Sequence, residues 1–226
     1  MAIVKKYKSF VTSVSNPVPG VYTVEFRSLN GRFKYLPGQF LHLALDNDYD
    51  GSGQWPESRC FSMQSNPDEE NIRITYAVKG RFTKMMEQHL KVGSEVWLKL
   101  PYGDLFTRPH DKVNTVFIAG GTGITPFLSL FTHSSFAEYK NPRIYLGFRS
   151  KAYNIYDKEL NFVRLCKPKI YYNDVEGQLD IQRILEENGA TCDYFIIGPP
   201  AMIKSIENYL TGNSIEKDQI KTDDWE

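Results

Sequence analysis

The hydrophobic pattern of this 226-residue chain changes its period near the middle. In the first hundred residues, apolar side chains recur at every second position, as in Ile72, Ile74, Tyr76 and Val78. Such alternation is typical of antiparallel strands that bury one face, and Pro-Gly and Asn-Gly pairs separate the segments. The pattern predicts an antiparallel barrel or sandwich, interrupted by a helix at about 82–90.

From Thr115 onward, short apolar runs alternate with helical stretches. This order predicts a doubly wound parallel sheet. We expect C′ glycines at Gly189 and Gly212, and a boundary within the polar stretch Asp104–Asn114, which gives domains 1–108 and 109–226. The strands are expected at 116–119, 144–148, 169–172 and 194–197, and the helices at 126–136, 157–165, 179–187 and 200–210.

Composition narrows the possible functions. Twenty-seven basic and 27 acidic residues balance, so nothing indicates a nucleic-acid or anionic-membrane surface. The three cysteines form no CxxC pair, and no metal site is expected. The four histidines are scattered, so hydrolytic chemistry has no support. No stretch reaches membrane-spanning length and no leader is recognisable, so we expect a cytoplasmic protein.

The segment from Val116 to Pro126 joins a buried apolar run to the glycine cluster Gly120-Gly121-Thr122-Gly123 and then to a helix. Glycines allow close backbone approach, and a helix start presents free N–H groups to an anion. No Lys-Ser or Lys-Thr follows the glycines, so this is not a Walker sequence. The segment indicates the pyrophosphate of a nicotinamide dinucleotide, with a purely structural turn as the alternative.

Three further segments contain residues suited to nucleotide chemistry. Arg59-Cys60-Phe61-Ser62 offers a phosphate clamp, an aromatic ring and a hydroxyl, although the tetrapeptide alone favours an ordinary edge strand. Lys79–Thr83 could hold a phosphate at a helix start, or could be a common strand-to-helix turn. Gly198-Pro199-Pro200, with Met202 behind it, follows the last buried strand predicted here, where open α/β sheets bind nucleotides.

In order and separation, these segments resemble the ferredoxin–NADP reductase family of flavoproteins, in its two-domain form without an iron–sulfur domain. Arg59–Ser62 with Ser65 resembles the RxYS-type flavin motif, after a PGQ turn at Pro37–Gln39. Gly120–Pro126 resembles the GGTGITP nicotinamide-nucleotide motif, and Gly198–Met202 resembles GPPxM. The resemblance covers nearly the whole chain and implies an N-terminal antiparallel Greek-key β-barrel followed by a parallel-sheet nucleotide-binding domain.

The resemblance also implies roles for individual residues. Arg59 would pair with flavin phosphate, Phe61 would pack on the flavin ring, and Ser62 would hydrogen-bond near flavin N5. Ser62 and the C-terminal Trp225, which would face the other side of the flavin, are the catalytic candidates. The complete cofactor-binding set comprises Arg59, Phe61, Ser62, Tyr76, Val78, Lys79, Gly80, Arg81, Phe82, Thr83, Gly120, Gly121, Thr122, Gly123, Thr125, Arg149, Asp174, Gly198, Pro199, Met202 and Trp225.

The chain departs from the family pattern at three positions. Phe61 replaces the commoner Tyr and so lacks a hydroxyl that could bond the ribityl chain, and Ile197 stands where many relatives have Cys. Leu100 precedes Pro101 where Gly is frequent. The first two departures concern flavin affinity and hydride transfer rather than the fold.

The implied activity is that of an NAD(P)H oxidoreductase that passes hydride to bound FAD and electrons to a separate acceptor. That acceptor would be ferredoxin, flavodoxin, an oxygenase component or a small molecule. An NAD(P)H:flavin reductase and a non-catalytic electron-transfer subunit are the alternatives, and FMN could replace FAD. Acidic residues around Asp174 favour NADH over NADPH, whereas Arg149 and Lys151 favour NADPH; we expect an NADH preference. We also expect a monomer.

Overall fold

The computed structural model describes residues 3–46, 48–161, 163 and 166–223. The chain divides into two compact units, one formed by Met1–Asp104 with Thr125–His133, the other by Leu105–Ile124 with Ser134–Glu226. The sequence-based boundary at 108/109 lies close to this division. It did not anticipate that residues 125–133 group with the first unit.

The first unit contains, within its described residues, a six-stranded antiparallel sheet in the order β4-β3-β6-β1-β2-β5. Its outermost strands approach each other beyond the end of β4, where the Gln64 N–H donates to the Arg73 carbonyl at 2.8 Å. The sheet therefore curls toward closure, as the expected barrel requires. The strands are β1 (Lys5–Val18), β2 (Val21–Ser28), β3 (Phe40–Ala44), β4 (Ser58–Ser62), β5 (Ile72–Ala77) and β6 (Glu95–Tyr102).

The alternating apolar residues of these strands form the core of the first unit. Ile72, Ile74 and Tyr76 of β5 are buried, and Val24 and Phe26 of β2 join the same cluster. Helix α1 (Arg81–His89) adds the buried side chains of Phe82 and Met86. These two residues are four positions apart, the spacing at which an amphipathic helix buries one face.

The second unit is built on a parallel sheet, with the order β11-β10-β7-β8-β9 among the described residues. Chain order reverses between β7 and β10, which defines the topological switch point of a doubly wound sheet. The alternating strands and helices expected from the sequence are present. The strands are β7 (Thr115–Gly120), β8 (Arg143–Phe148), β9 (Lys169–Tyr172), β10 (Asp193–Ile197) and β11 (Ile220–Thr222); the helices after α1 are α2 (Thr125–Phe131), α3 (Asp157–Leu160), α4 (Ile181–Asn188) and α5 (Pro200–Gly212).

The helix predicted over 126–136 is wrong in its second half. Helix α2 ends at Phe131, and a short 3-10 helix follows at Ser134–Glu138. The Thr132 hydroxyl donates to the Leu128 carbonyl at 2.8 Å, and the next residues are His, Ser and Ser. Hydroxyl side chains compete with the backbone for hydrogen bonds and weaken a helix interior, which accounts for the early end.

Three other expectations about helices and strands need correction. The helix expected at 157–165 is described only as Asp157–Leu160, and α4 begins at Ile181 because the Asp180 carboxylate caps it by accepting from the Arg183 N–H at 3.0 Å. Gly212 is the last residue of α5 rather than its C′ glycine, whereas Gly189 does follow α4 with φ +78°. Strand β11 was not predicted, because three residues are too few to show a period.

Helix α2 joins the first unit through side-chain hydrogen bonds. The Ser129 hydroxyl donates to the Ser65 carbonyl at 2.9 Å, and the Asn66 amide donates to the Thr132 carbonyl at 2.7 Å. All seven residues of α2 are buried. No helix among the described residues is long and apolar enough to cross a membrane.

Candidate functional site

The flavin-type segment lies on β4, and its side chains alternate between the two faces of the sheet. Phe61 packs against the core, with its ring centroid 6.0 Å from that of Tyr76 in an edge-to-face arrangement. Arg59 shares this side and lies over the Phe82 ring, 5.3 Å from its centroid. Because successive strand residues point to opposite faces, Ser62 lies on the other side at the end of β4. The geometry therefore groups Arg59 with Phe61 and separates Ser62 from them.

Tyr76 presents a buried hydroxyl beside Phe61. Its ring stacks on Tyr22 at a centroid distance of 5.6 Å, and its oxygen has no hydrogen-bond partner among the described residues. Burial raises the pKa of Tyr76, so the group is a protonated donor at neutral pH. Most buried polar atoms in folded proteins have a partner. An orphaned hydroxyl next to the predicted flavin-stacking residue fits a cofactor that supplies the missing acceptor.

The start of α1 contains a hydrogen-bonded turn. The Thr83 hydroxyl accepts from the N–H groups of Lys79 and Gly80 at 2.9 and 3.1 Å. This hydroxyl therefore organises the turn. A Cβ on Gly80 would have no heavy atom within 4 Å, so the space beside the helix start is open. Before the turn, the Val78 N–H donates to the Gly20 carbonyl at 2.8 Å, which gives Val78 a structural bond.

Two arginines converge near this turn. Arg81, the first residue of α1, places Nη2 2.5 Å from both carboxylate oxygens of Glu57. Arg59 Nη2 lies 3.3 Å from Glu57 Oε1. Glu57 was not singled out in the sequence, because it is 24 positions from Arg81 and only the fold brings the two together.

In the second unit, the two glycine segments meet at the switch point. β7 and β10 are hydrogen-bonded neighbours whose carboxyl ends carry Gly120 and Gly198. A Cβ on Gly123 would lie 2.8 Å from the Gly198 Cα, and one on Gly120 would lie 2.6 Å from Met202 Sδ. Glycine is therefore required at position 123, where the obstacles are backbone atoms, whereas the obstacle at Gly120 is a flexible side chain. Open α/β sheets bind nucleotides in this position.

The glycine cluster does not lead directly from a strand into an α-helix. Gly121–Ile124 forms a 3-10 helix, in which Gly121 has φ +55° with open space around its missing side chain. Thr122 is half-buried, and Thr125 is the buried first residue of α2. Pro199 precedes α5, and Pro200 occupies its first turn as expected. These residues lie in the segments that directly follow β7 and β10.

Asp174 and Arg149, the candidates for contacting the ribose of the nicotinamide nucleotide, lie in adjacent loops. Asp174 follows β9, is exposed, and its N–H donates to the Arg149 carbonyl at 3.3 Å. The Arg149 guanidinium lies over the Tyr153 ring at 5.1 Å from the centroid. Asn154 is buried with its amide 2.6 Å from Asp157 Oδ1, and its own Oδ1 has no partner among the described residues. The sequence did not identify Tyr153 and Asn154 as candidates, because neither belongs to a recognisable motif.

Two other predictions have different outcomes. Trp225, expected to face the flavin, lies outside the described residues, so its catalytic role stays a prediction.

The histidines are not without partners: Cys60 Sγ lies 3.6 Å from His42 Nε2, and His110 packs against Tyr139 and Phe195. Burial raises the pKa of the Cys60 thiol and lowers that of His42, so the pair is uncharged at neutral pH. No cluster of three or more His, Cys, Asp or Glu side chains suited to a metal ion occurs in the part of the chain that the structure describes.

The described residues fit both cofactors that the sequence indicates. The first unit combines two guanidinium groups, an open helix start and an orphaned buried hydroxyl beside an aromatic ring, which suits a phosphate-bearing flavin. The second unit has two close-packed glycine segments at a switch point, which suits a dinucleotide.

Comparison with known proteins covers most of the chain. Residues 117–208 match the family model of the oxidoreductase NAD-binding domain. The propane 2-monooxygenase reductase component of Mycolicibacterium smegmatis is 28% identical over 217 residues, which is 86% of this chain and 60% of that protein. The terephthalate 1,2-dioxygenase reductase component 1 of a Comamonas species is 35% identical over 131 residues, 56% of this chain and 36% of that protein.

A solved structure matches both units. The ferredoxin NADP+ reductase of Neisseria gonorrhoeae, solved with bound FAD and NADP, has a TM-score of 0.78 at 16% identity, covering 99% of each chain. This likeness shows the fold, an antiparallel β domain followed by a parallel-sheet α/β domain. The chain spans about 60% of the length of the propane monooxygenase reductase.

These comparisons confirm the resemblance to ferredoxin reductase-type FAD/NAD-binding oxidoreductases, and with it the expected fold class. Within that class, the curated relatives named above are reductase components of oxygenase systems. The family model describes NAD binding over residues 117–208, and the structural match supports the fold of both units.

Proposed function

We propose that this protein is a flavin-dependent NAD(P)H oxidoreductase. It transfers hydride from NAD(P)H to bound FAD and then passes electrons to a separate acceptor such as ferredoxin, flavodoxin or an oxygenase component. The observation that carries the proposal is the meeting of Gly120–Gly123 with Gly198 at the switch point of a parallel sheet, on a chain whose other unit bears Arg59 and Phe61. Bound FAD would supply the capacity to accept hydride and to release single electrons.

The residues of the first unit would hold and orient the flavin. Arg59 and Arg81 offer charge-assisted hydrogen bonds to phosphate, and the Tyr76 hydroxyl offers a donor in a site shielded from water. Phe61 supplies an apolar ring, and Ser62 a hydroxyl at the strand end. In the second unit, Gly120–Gly123 and Gly198–Met202 would position the nicotinamide nucleotide.

The decisive experiment is anaerobic mixing of the flavin-loaded protein with NADH, and separately with NADPH. The proposal expects loss of the oxidised-flavin absorbance with at least one nucleotide. A flavin-loaded protein that stays oxidised with both would overturn it and leave the non-catalytic electron-transfer subunit.

An NAD(P)H:flavin reductase, which releases its flavin as product, is the second candidate. Phe61 favours it, since it lacks the hydroxyl that a Tyr would offer the ribityl chain. Gel filtration of the loaded protein in flavin-free buffer separates the two. Flavin that co-elutes with the protein supports a bound cofactor, and flavin that elutes separately supports a diffusible substrate.

We further propose that NADH is preferred to NADPH. The Asp174 carboxylate, exposed after β9, would accept from a ribose 2′-OH and repel a 2′-phosphate. The Arg149 guanidinium, the candidate partner for a 2′-phosphate, lies over the Tyr153 ring instead. FAD rather than FMN, a monomeric state, a cytoplasmic location and the identity of the acceptor stay predictions from the sequence.

A further inference from the structure

The carboxylate of Glu57 lies between the two arginines of the proposed flavin-phosphate site. Both of its oxygens are 2.5 Å from Arg81 Nη2, and Oε1 is 3.3 Å from Arg59 Nη2. The bond from Arg81 holds the pKa of the Glu57 carboxyl below its ordinary range, so it is ionised at neutral pH. The three side chains are 44–68% exposed and are therefore accessible to a ligand.

The fold assembles this group from two separate segments. Glu57 immediately precedes β4, Arg59 is the second residue of β4, and Arg81 is the first residue of α1. The Arg59 guanidinium rests on the ring of Phe82, the residue after Arg81. The two arginines therefore converge on one anionic group beside the helix start.

A carboxylate and a phosphate present similar oxygen acceptors to a guanidinium, and both bind it through charge-assisted hydrogen bonds. The same N–H groups of Arg81 cannot serve both at full strength. We propose that Glu57 is an internal competitor for the flavin phosphate, which must displace the carboxylate from Arg81 and Arg59 as it binds. This inference rests on the proposed flavin-binding function and adds a residue that sets how tightly the flavin is held.

The competition has a direct electrostatic consequence. With Glu57 ionised, one of the two guanidinium charges is compensated before any ligand arrives. The carboxylate also remains near a bound phosphate and repels it. A protein with this arrangement holds phosphate-bearing flavins less tightly than the two arginines alone would allow.

The test compares wild type with Glu57→Gln, which keeps the size of the side chain and removes its charge. Dissociation constants for FAD, FMN and riboflavin are measured by flavin-fluorescence titration at about 0.05 M and about 0.5 M salt. We expect the variant to bind FAD and FMN roughly 3- to 10-fold more tightly at low salt, with a steeper salt dependence. Riboflavin, which has no phosphate, should bind both proteins equally.

Glu70→Gln is the matched control, because it breaks a comparably exposed ion pair with Arg27 on another part of the first unit. It should leave all three affinities unchanged. In an Arg81→Ala background, Glu57→Gln should lose most of its effect, since the partner is gone. Circular dichroism confirms that each variant folds.

The outcomes separate this inference from the function on which it rests. If wild type binds none of the three flavins, the proposed function fails. If wild type binds FAD and Glu57→Gln binds it no more tightly, the competition is refuted. An equal gain in riboflavin affinity would also refute it, because the effect would then not involve phosphate.

Discussion

The backbones at Gly123 and Gly198 approach so closely that a Cβ on Gly123 would stand 2.8 Å from the Gly198 Cα and 2.8 Å from the Ile197 carbonyl oxygen. Because both obstacles are backbone atoms, no side-chain rotation relieves the contact. The missing side chain at Gly123 therefore lets the two strand ends pack together.

Replacing Gly123 with Ala should lower the free energy of unfolding by about 1–3 kcal/mol, the usual cost of forcing an extra methyl into a packed region. Urea denaturation measures the change. Gly212→Ala is the control, because a Cβ there would meet nothing within 4 Å and alanine favours the helix. Equal stabilities of the two variants would contradict the close packing.

Because the Tyr76 hydroxyl has no partner among the described residues, its removal should affect the stability of the flavin-free protein and the affinity for flavin in opposite directions. Tyr76→Phe should leave the flavin-free protein as stable as wild type or more so, since it removes a buried polar atom with no partner among the described residues. It should weaken flavin binding by roughly 3- to 10-fold, through loss of one hydrogen bond. Thermal melts and flavin titrations measure the two effects.

Tyr35→Phe is the contrasting variant. The Tyr35 hydroxyl is bonded to Ser65 Oγ at 2.9 Å, so its loss should destabilise the flavin-free protein by about 1 kcal/mol. If Tyr76→Phe destabilised the flavin-free protein as much, or left flavin affinity unchanged, Tyr76 would have no cofactor role.

Glu187 makes the stability of the second unit depend on pH. The bond from Lys169 at 2.6 Å, followed by that from Tyr145 at 2.8 Å, lowers the pKa of its carboxyl from 4.5 to about 2. A depressed pKa stabilises the fold above the ordinary value, and this contribution is lost as the pH falls from 4.5 toward about 2. The carboxylate is 29% exposed, so solvent screening limits the effect to about 1 kcal/mol.

Glu187→Gln should therefore reduce stability at pH 7 and flatten its decline in acid, as followed by denaturation at several pH values. Glu186→Gln, at a neighbouring exposed position bonded to Gln182, should behave as wild type. An unchanged acid profile in Glu187→Gln would show that other carboxyl groups cause the decline.

The proposed role of Asp174 predicts a change in nucleotide preference. Asp174→Ser should lower the ratio of kcat/KM for NADH to that for NADPH by about 10-fold, the order expected for a hydrogen bond to a charged group. Glu176→Gln is a useful comparison, because the Glu176 carboxylate is occupied by the Tyr172 N–H at 2.7 Å. The same ratio in wild type and Asp174→Ser would remove Asp174 from the nucleotide site.

Much of the secondary structure could be predicted from local sequence patterns, because these patterns reflect backbone geometry. The alternation at Ile72, Ile74 and Tyr76 matches a strand with a buried face, and the run before Gly120 matches a strand whose six residues are all buried. Helix ends were less predictable. At Thr132, a single side-chain bond to the Leu128 carbonyl accompanies an early helix end that apolar periodicity does not register.

The two fold types and the order of the cofactor segments can be read from the sequence, because hydrophobic period and glycine clusters are properties of neighbouring residues. Which distant groups meet depends on the tertiary fold. It paired Glu57 with Arg81, set Gly123 against Gly198, assigned α2 to the first unit and left the Tyr76 hydroxyl buried beside Phe61. These contacts depend on sheet order and strand register, which are set by packing across the whole unit and leave no signature in adjacent residues.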